Sequence, residues 1–430
     1  MTKVRVSFKT LGCKLNFSET SALANKLSGK GYEIVNQAEA SDIFVVNTCS
    51  VTAQAEKKCR QAITAFHHKN PKGKIAVIGC YAQLDAEKLA KIPGVNLVLG
   101  AKEKSKLDDY LEHIDKFDNE IHSCGIDAVE KFHAAHSEGD RTRSFLKVQD
   151  GCDYHCTYCT IPLARGKSRN PAIKELVEES RRIGDKGIKE IILTGVNVGD
   201  FGKSTGERFI DLLDALDKES PVPRIRLSSV EPNLLNNDII NLVKNSKKIL
   251  PHFHIPLQSG CDTILAAMKR RYNTRLFANR VEYIRQQIPD AFIGVDVIVG
   301  FPGESENLFE ETHQFLQNME ASFYHVFSYS VRPNTPAAKM NHKVEPGIIK
   351  ERSKTIQELA HRKQLEFYEK HLGQTRPVLF EGKNQKGMLL GYTDNYIKVQ
   401  VPWQKELNGA IKDAVLENID QNDLVNIKLL

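Results

Sequence analysis

Nine cysteines in a 430-residue chain are the side chains best suited to chemistry, and their placement sorts them into groups. Cys152, Cys156 and Cys159 stand in Gly151-Cys152-Asp153-Tyr154-His155-Cys156-Thr157-Tyr158-Cys159, a C-x3-C-x2-C run whose thiolates converge on one centre when the backbone curls. Three thiolates on a four-iron cluster leave one iron without a protein ligand, and a chelating substrate can take that open position. A structural zinc site completed by His155 or a distant ligand fits the same spacing equally well. Cys13, Cys49 and Cys80 are far apart in sequence but alike in context. Each follows a strand-like run, in Leu11-Gly12-Cys13, Asn47-Thr48-Cys49 and Gly79-Cys80. In a doubly wound sheet such strand ends share one edge, where ligands bind, so these three predict a second centre. Three unrelated buried cysteines are the plainer alternative. Cys59, Cys124 and Cys261 have no companions at ligand spacing and are read as structural. An odd total in a long chain argues against a disulfide framework and for metal or redox chemistry.

The elements that must position these thiols alternate along the chain. Strand-like runs at 3–8, 43–47, 74–79 and 95–99, with helical stretches such as 18–30 (Ser18 as N-cap) between them, predict a parallel sheet over residues 1–115. Residues 116–140, polar and rich in histidine, read as a linker. From 141 to 372 a second alternation begins, with strands at 145–149, 189–194, 224–229, 252–256, 292–299 and 323–328. Helices at about 172–186, 208–217, 233–244, 274–287 and 305–319 separate them. Six such units fall short of the eight of a closed barrel, so an open (β/α)6 barrel is expected, followed by a charged helix at about 346–372. Residues 373–430 hold short β-rich runs (377–381, 387–392, 395–401, 424–429) divided by glycines, which suits a small all-β barrel.

Composition narrows the function classes. With 41% hydrophobic and 27% charged residues the chain is neither disordered nor collagenous. No apolar run approaches the roughly 18–20 residues of a membrane span, and the sequence passes from Met1 directly into a strand, leaving no room for a signal peptide. A cytoplasmic protein with no membrane contact is expected. The net charge of +6 permits a nucleic-acid partner without demanding one. None of that charge comes from residues 371–430, where seven Lys+Arg face seven Asp+Glu.

With these residues in view, the chain resembles the radical S-adenosylmethionine methylthiotransferase family over nearly its whole length. The Cys152/Cys156/Cys159 run matches the superfamily motif. Gly12-Cys13-Lys14-Leu15-Asn16, Asn47-Thr48-Cys49-Ser50-Val51-Thr52, Gly79-Cys80-Tyr81-Ala82-Gln83, Ile161 to Arg169 and Pro256-Leu257-Gln258-Ser259-Gly260 narrow it to methylthiotransferases. Cys261 departs where the family more often has Ser. The Gly-Cys-Lys-Leu-Asn and Gly-Cys-Tyr-Ala-Gln forms are most similar to the branch acting on N6-threonylcarbamoyladenosine in tRNA. Other branches act on isopentenyladenosine or on a ribosomal-protein aspartate; a non-catalytic zinc or RNA-binding module is the competing class.

The resemblance implies a domain carrying an auxiliary cluster, an α/β radical barrel and a TRAM-type C-terminal barrel, with two [4Fe–4S] clusters and S-adenosylmethionine as cofactors. One cluster, on Cys152/Cys156/Cys159, would cleave S-adenosylmethionine to a 5′-deoxyadenosyl radical. The other, on Cys13/Cys49/Cys80, would carry the sulfur that a second S-adenosylmethionine methylates, giving a methylthio group at adenine C2 of position 37. The tRNA anticodon stem-loop and a reductant protein are the implied partners. S-adenosylmethionine is expected at the strand ends, on Thr194, Asn197, Ser229, Glu231, Gln258 and Asp296. Arg165, Lys167 and Arg169 are candidates for tRNA phosphates or the modified base. The second basic run, Lys269 to Arg271 with Arg275 and Arg280, reads as a solvated face. Tyr392, Tyr396 and Trp403 can stack on bases or pack a core.

Overall fold

The computed structural model describes residues 3–35, 41–138, 142–383 and 387–430. Its first layer is a parallel sheet of six strands: β1 (Arg5–Thr10), β2 (Glu33–Val35), β3 (Ile43–Thr48), β4 (Lys74–Gly79), β5 (Val95–Leu99) and β6 (Glu120–His122), in the order β2-β1-β3-β4-β5-β6. Phe44, Val45, Val46 and Ile75 to Ile78 are all buried; such unbroken apolar runs mark strands covered on both faces. The strand order reverses between β1 and β3, and that crevice is where open sheets of this kind bind ligands. Two expectations need correcting. The first helix starts at Lys14 with Cys13 as its N-cap, and Ser18 is buried, its hydroxyl donating to the Leu15 carbonyl at 2.9 Å. The stretch 116–140 is more than a connection, because it contributes β6 to the sheet; its polar sequence hid an edge strand of three residues.

The second unit is an open arc of six parallel strands. β7 (Arg143–Lys147), β8 (Glu190–Thr194) and β9 (Arg224–Leu227) form one sheet; β10 (His252–Gln258), β11 (Phe292–Val299) and β12 (Phe323–Ser328) form another. Parallel bridges Ile225–Ile249 and Ser229–His254 join them. The outward face of the arc and its helices share one core, including Leu193, Leu212, Ile240, Phe277, Val297 and Leu316. The helix Lys14–Gly29 lies along β7, with Phe17 edge-on to Phe145 at 5.8 Å, while the helix Pro346–Glu369 packs on β12. Both free edges of the arc are thereby flanked.

The third unit is a closed barrel, β13 (Thr375–Lys383), β14 (Met388–Thr393), β15 (Lys398–Pro402), β16 (Ile411–Ile419) and β17 (Val425–Leu429), in the order β13-β14-β15-β17-β16. β16 was not visible in the sequence because Lys412, Asp413 and Glu417 interrupt its apolar pattern; on the strand they are exposed while Ala414 and Leu416 turn inward.

Candidate active site between two cysteine triads

The dispersed cysteines do meet at the carboxyl edge of the first sheet. Cys13, Cys49 and Cys80 lie within electrostatic reach of one another, and the family-like residues around them are the ties. Asn16 donates to the carbonyls of Leu11 at 2.9 Å and Thr48 at 3.0 Å, joining the first two cysteine loops. Thr48 donates to the Ile78 carbonyl at 2.6 Å and accepts from the Ala82 amide at 3.2 Å, joining the second and third. Gly12 sits at φ +104°, and a Cβ there would strike Cys49 Cβ at 2.8 Å and Sγ at 2.9 Å, so the close approach of the loops requires glycine. Cys59 is buried beneath this site, its thiol pointing at the Cys49 carbonyl, and acts as core.

Cys152, Cys156 and Cys159 occupy the loop after β7, at the mouth of the arc. Gly151, at φ +70°, has the Lys167 carbonyl only 2.0 Å from where a Cβ would be; the loop is clamped against the 166–168 segment. Cys152 Sγ accepts from the Tyr154 amide and Cys159 Sγ from the Ile161 amide, both at 3.4 Å, and Cys156 Sγ accepts from Arg270 at 3.0 Å. Burial pushes the thiols of Cys152, Cys159 and Cys49 up to about 12, so metal binding must drive their deprotonation.

The donor sets fit clusters better than single ions. Tetrahedral zinc with bonds of about 2.3 Å holds its sulfurs about 3.8 Å apart. Among the described residues, the group with three ligand atoms within 4.8 Å of one another is His254, Asp296 and His325; neither cysteine triad is that tight. Thiolates on separate irons of one cluster need the wider spacing, and N–H groups aimed at the sulfurs are the usual means of tuning its potential.

A cavity of about 250 Å³ opens between the triads, lined from one side by Val51 and Thr52 and from the other by Cys159, Gln258, Asp296, Phe327 and Arg332. Arg332 is buried and ion-paired with Glu56 of the first domain, which pins the two walls together. Just beyond the carboxyl ends of β8 and β9, Asn197 is buried with neither amide atom partnered among the described residues, and Ser228 Oγ and Asp200 Oδ2 are likewise unpartnered. Buried polar atoms of this kind require a partner, and a ligand with amino and carboxylate groups supplies one. Gln149 sets the Asn197 loop in place: its Oε1 accepts from the amides of Val196 and Asn197 at 3.0 Å, and its Nε2 donates to Gly151 O at 2.7 Å.

The remaining expected residues divide. Gln258 follows a β-bulge at φ +73° and lines the cavity. Asp296 accepts from His254 Nε2 at 2.7 Å, and His254 Nδ1 meets Ser229 Oγ at 2.9 Å, so both expected residues belong to one hydrogen-bonded series through a histidine that sequence reasoning missed. Glu231 is ion-paired with Arg270. Thr194 turns its hydroxyl back to the Ile192 carbonyl and is a strand residue here. Arg165 and Arg169 are buried, against expectation. Arg165 binds Glu19 and Asp150 at 3.0 Å, Asn16 at 2.6 Å and Cys80 Sγ at 3.3 Å; Arg169 binds Asp150 at 2.9 Å. Both guanidinium groups are engaged within the protein, and of the three only Lys167 is exposed. Burial pushes the carboxyl of Glu19 up, but Arg165, Lys104 and Lys147 together hold it well below the usual range. Arg270 departs from the solvated face expected of its basic run: its side chain is buried against Tyr272 and Glu231. Tyr392 and Tyr396 stack on each other at 4.9 Å and lie under Arg143 and Arg226 of the arc at 4.8 and 4.7 Å, so they dock the C-terminal barrel rather than face solvent.

Comparison with known proteins defines the class. A radical SAM superfamily model matches residues 146–316, and the model described as uncharacterized protein family UPF0004 matches residues 5–100. A solved radical S-adenosylmethionine methyltransferase, TsrM from Kitasatospora setae, shares the fold, with a TM-score of 0.57 at 13% identity over 78% of this chain and 77% of that one. The threonylcarbamoyladenosine tRNA methylthiotransferase MtaB of Aquifex aeolicus is 39% identical over 95% of this chain and 99% of its own length; that of Bacillus subtilis is 37% identical over 94% and 92%. A tRNA-2-methylthio-N(6)-dimethylallyladenosine synthase of Sulfurimonas denitrificans is 33% identical over 98% of each. The chain belongs to the radical SAM methylthiotransferase family, and it is an enzyme of that kind. Its cofactors are S-adenosylmethionine and [4Fe–4S] clusters, two of which the paired triads accommodate.

Proposed function

We propose that the enzyme methylthiolates C2 of N6-threonylcarbamoyladenosine at position 37 in the anticodon stem-loop of tRNA, in the cytoplasm, with electrons from a reductant protein. The observation that carries this reading is a single cavity placed between two three-cysteine sites, in a chain whose full-length relatives are named for that reaction. When bound, the clusters and S-adenosylmethionine supply the radical, sulfur and methyl group that no side chain can provide. The protein's own residues do the rest. Cys152, Cys156 and Cys159 hold one cluster, and Cys13, Cys49 and Cys80 the other. Asn197, Ser228 and Gln258 would hold S-adenosylmethionine; their unpartnered or cavity-lining polar atoms support this, and Gln149 fixes the loop that carries Asn197. Phe327, 49% exposed at the cavity, offers a face for the adenine ring. Lys167 remains for a phosphate.

Anaerobically reconstituted enzyme, given S-adenosylmethionine, a reductant and tRNA bearing threonylcarbamoyladenosine, should yield its 2-methylthio derivative by nucleoside mass spectrometry. Product from dimethylallyladenosine tRNA alone would overturn the substrate assignment and leave the chemistry standing.

A further inference from the structure

Arg165 closes the short helix Ile161–Arg165, six residues after Cys159, yet its side chain ends on the other triad. A guanidinium has five N–H groups in one rigid plane, and here each of them meets an acceptor. The Nε hydrogen goes to Cys80 Sγ at 3.3 Å. Nη1 donates to Glu19 and Asp150, both at 3.0 Å, and Nη2 donates to Asn16 at 2.6 Å and Glu19 at 3.2 Å. With four hydrogens fixed on oxygen the plane cannot turn, so the fifth is held on the sulfur. Asn16 ties that alignment to the cysteine loops: its amide nitrogen donates to the carbonyl of Leu11 in the Cys13 loop and to that of Thr48 in the Cys49 loop.

A network that served only to join two domains would balance its charges, because an uncompensated buried charge is costly. This one does not balance. Lys104, Lys147, Arg165 and Arg169 are buried around Glu19 and Asp150, four cations to two carboxylates. Lys104 and Lys147 border a cavity of about 280 Å³, where ions from solvent can offset them. Arg165 has no hydrogen left for such a partner; beyond Asn16 and the two carboxylates, the group it touches is Cys80. The loop triad gives the contrast. There Arg270 donates to Cys156 Sγ at 3.0 Å, and Glu231 cancels its charge.

We infer that Arg165 acts through Cys80 to raise the reduction potential of the cluster on Cys13, Cys49 and Cys80, by its N–H···S bond and by the surplus positive charge of the network behind it. The inference rests on the cluster reading above. One-electron reduction, by the reductant protein proposed there, adds a negative charge beside Cys80. Hydrogen-bond donors and cations at the sulfur stabilise that reduced form over the oxidised one. An anionic sulfur on the open iron is favoured by the same field.

The test is potentiometric. Full-length protein carrying Cys156→Ala, reconstituted anaerobically without RNA, holds the dispersed cluster alone, and a reductive titration followed by electron paramagnetic resonance reads its potential. In this background Arg165→Gln should shift the equilibrium about 10- to 100-fold toward the oxidised cluster, the range of one charged hydrogen bond, or about 60 to 120 mV lower for one electron. Glu19 and Asp150 keep Lys104, Lys147 and Arg169, so the variant strands no carboxylate. Arg165→Lys keeps the charge but loses the planar fork, and its potential should fall between. Lys104→Gln removes charge without touching a thiol and should shift the potential the same way by less; if Arg165→Gln loads iron poorly, a Lys104→Gln potential equal to the parent's overturns the inference. In a Cys49→Ala background, which holds the loop cluster alone, none of the three should move the potential. An Arg165→Gln potential at or above the parent's, with full iron content, overturns the inference, and so does an equal shift of the loop cluster, which marks a general loosening. Parent protein that takes up no cluster in the Cys156→Ala background overturns the cluster reading, and this inference with it.

Discussion

The two cysteine triads reach similar ends by opposite routes. Cys152, Cys156 and Cys159 are neighbours on one loop, and eight residues suffice to hold them. Cys13, Cys49 and Cys80 come from three separate strand ends and exist as a group only once β1, β3 and β4 are paired. Their electrostatic settings differ too. The loop triad has one cation, Arg270, already matched by Glu231. The dispersed triad borders a buried network in which Lys104, Lys147, Arg165 and Arg169 surround only Glu19 and Asp150. That surplus of positive charge suits a neighbour that carries negative charge when loaded, and Arg165 touches Cys80 directly. A contiguous motif is therefore a local device, whereas a dispersed one is also a fold-wide commitment.

Substitutions can separate the two. Cys156→Ala should remove about four irons of eight and abolish S-adenosylmethionine cleavage to below detection; if cleavage survives, the roles of the triads are exchanged. Cys49→Ala should remove the same number but leave S-adenosylmethionine cleavage, while the methylthio product disappears from nucleoside analysis. Glu19→Gln should cost about 3–5 kcal/mol, because it strands buried cations, and an anaerobic thermal melt at pH 7 would show it. The sign of the pH dependence follows from the depressed carboxyl of Glu19. Its contribution is complete above the unfolded value near 4 and is lost only as pH falls through the folded one. The wild-type advantage should thus be constant from pH 8 to 5 and shrink below 4. Arg270→Lys should lower the rate of S-adenosylmethionine cleavage by about tenfold, the cost of one charge-assisted hydrogen bond, in single-turnover assays. Tyr396→Leu should be mildest, at about 1 kcal/mol for a lost aromatic and cation–π contact, read as a lower midpoint in the melt with iron content retained.

The same contrast explains what the sequence disclosed. Strand ends flagged Cys13, Cys49 and Cys80 because apolar runs and glycines are local signals, and the six units of the arc were legible for the same reason. Arg165 was visible as a charge, but its burial depends on Glu19, which lies 146 residues away. Nothing near either residue announces the pairing. His254 and His325 looked like ordinary strand residues, since only the pairing of β10 and β12 on either side of β11 turns them toward each other. β16 failed on pattern, because a barrel strand with one wet face tolerates charges that a sheet core does not. Gln149 carried one faint signal, a polar residue ending an apolar strand immediately before the cysteine loop.

The docking of Tyr396 has a consequence for traffic. With Tyr396 packed on His252 and Phe292, the arc is a vessel open at one end, and whatever enters past the cysteine loop must leave by the same doorway. If RNA docks over that doorway, bound RNA should slow the release of spent cofactor, and excess RNA should then inhibit turnover in steady-state assays.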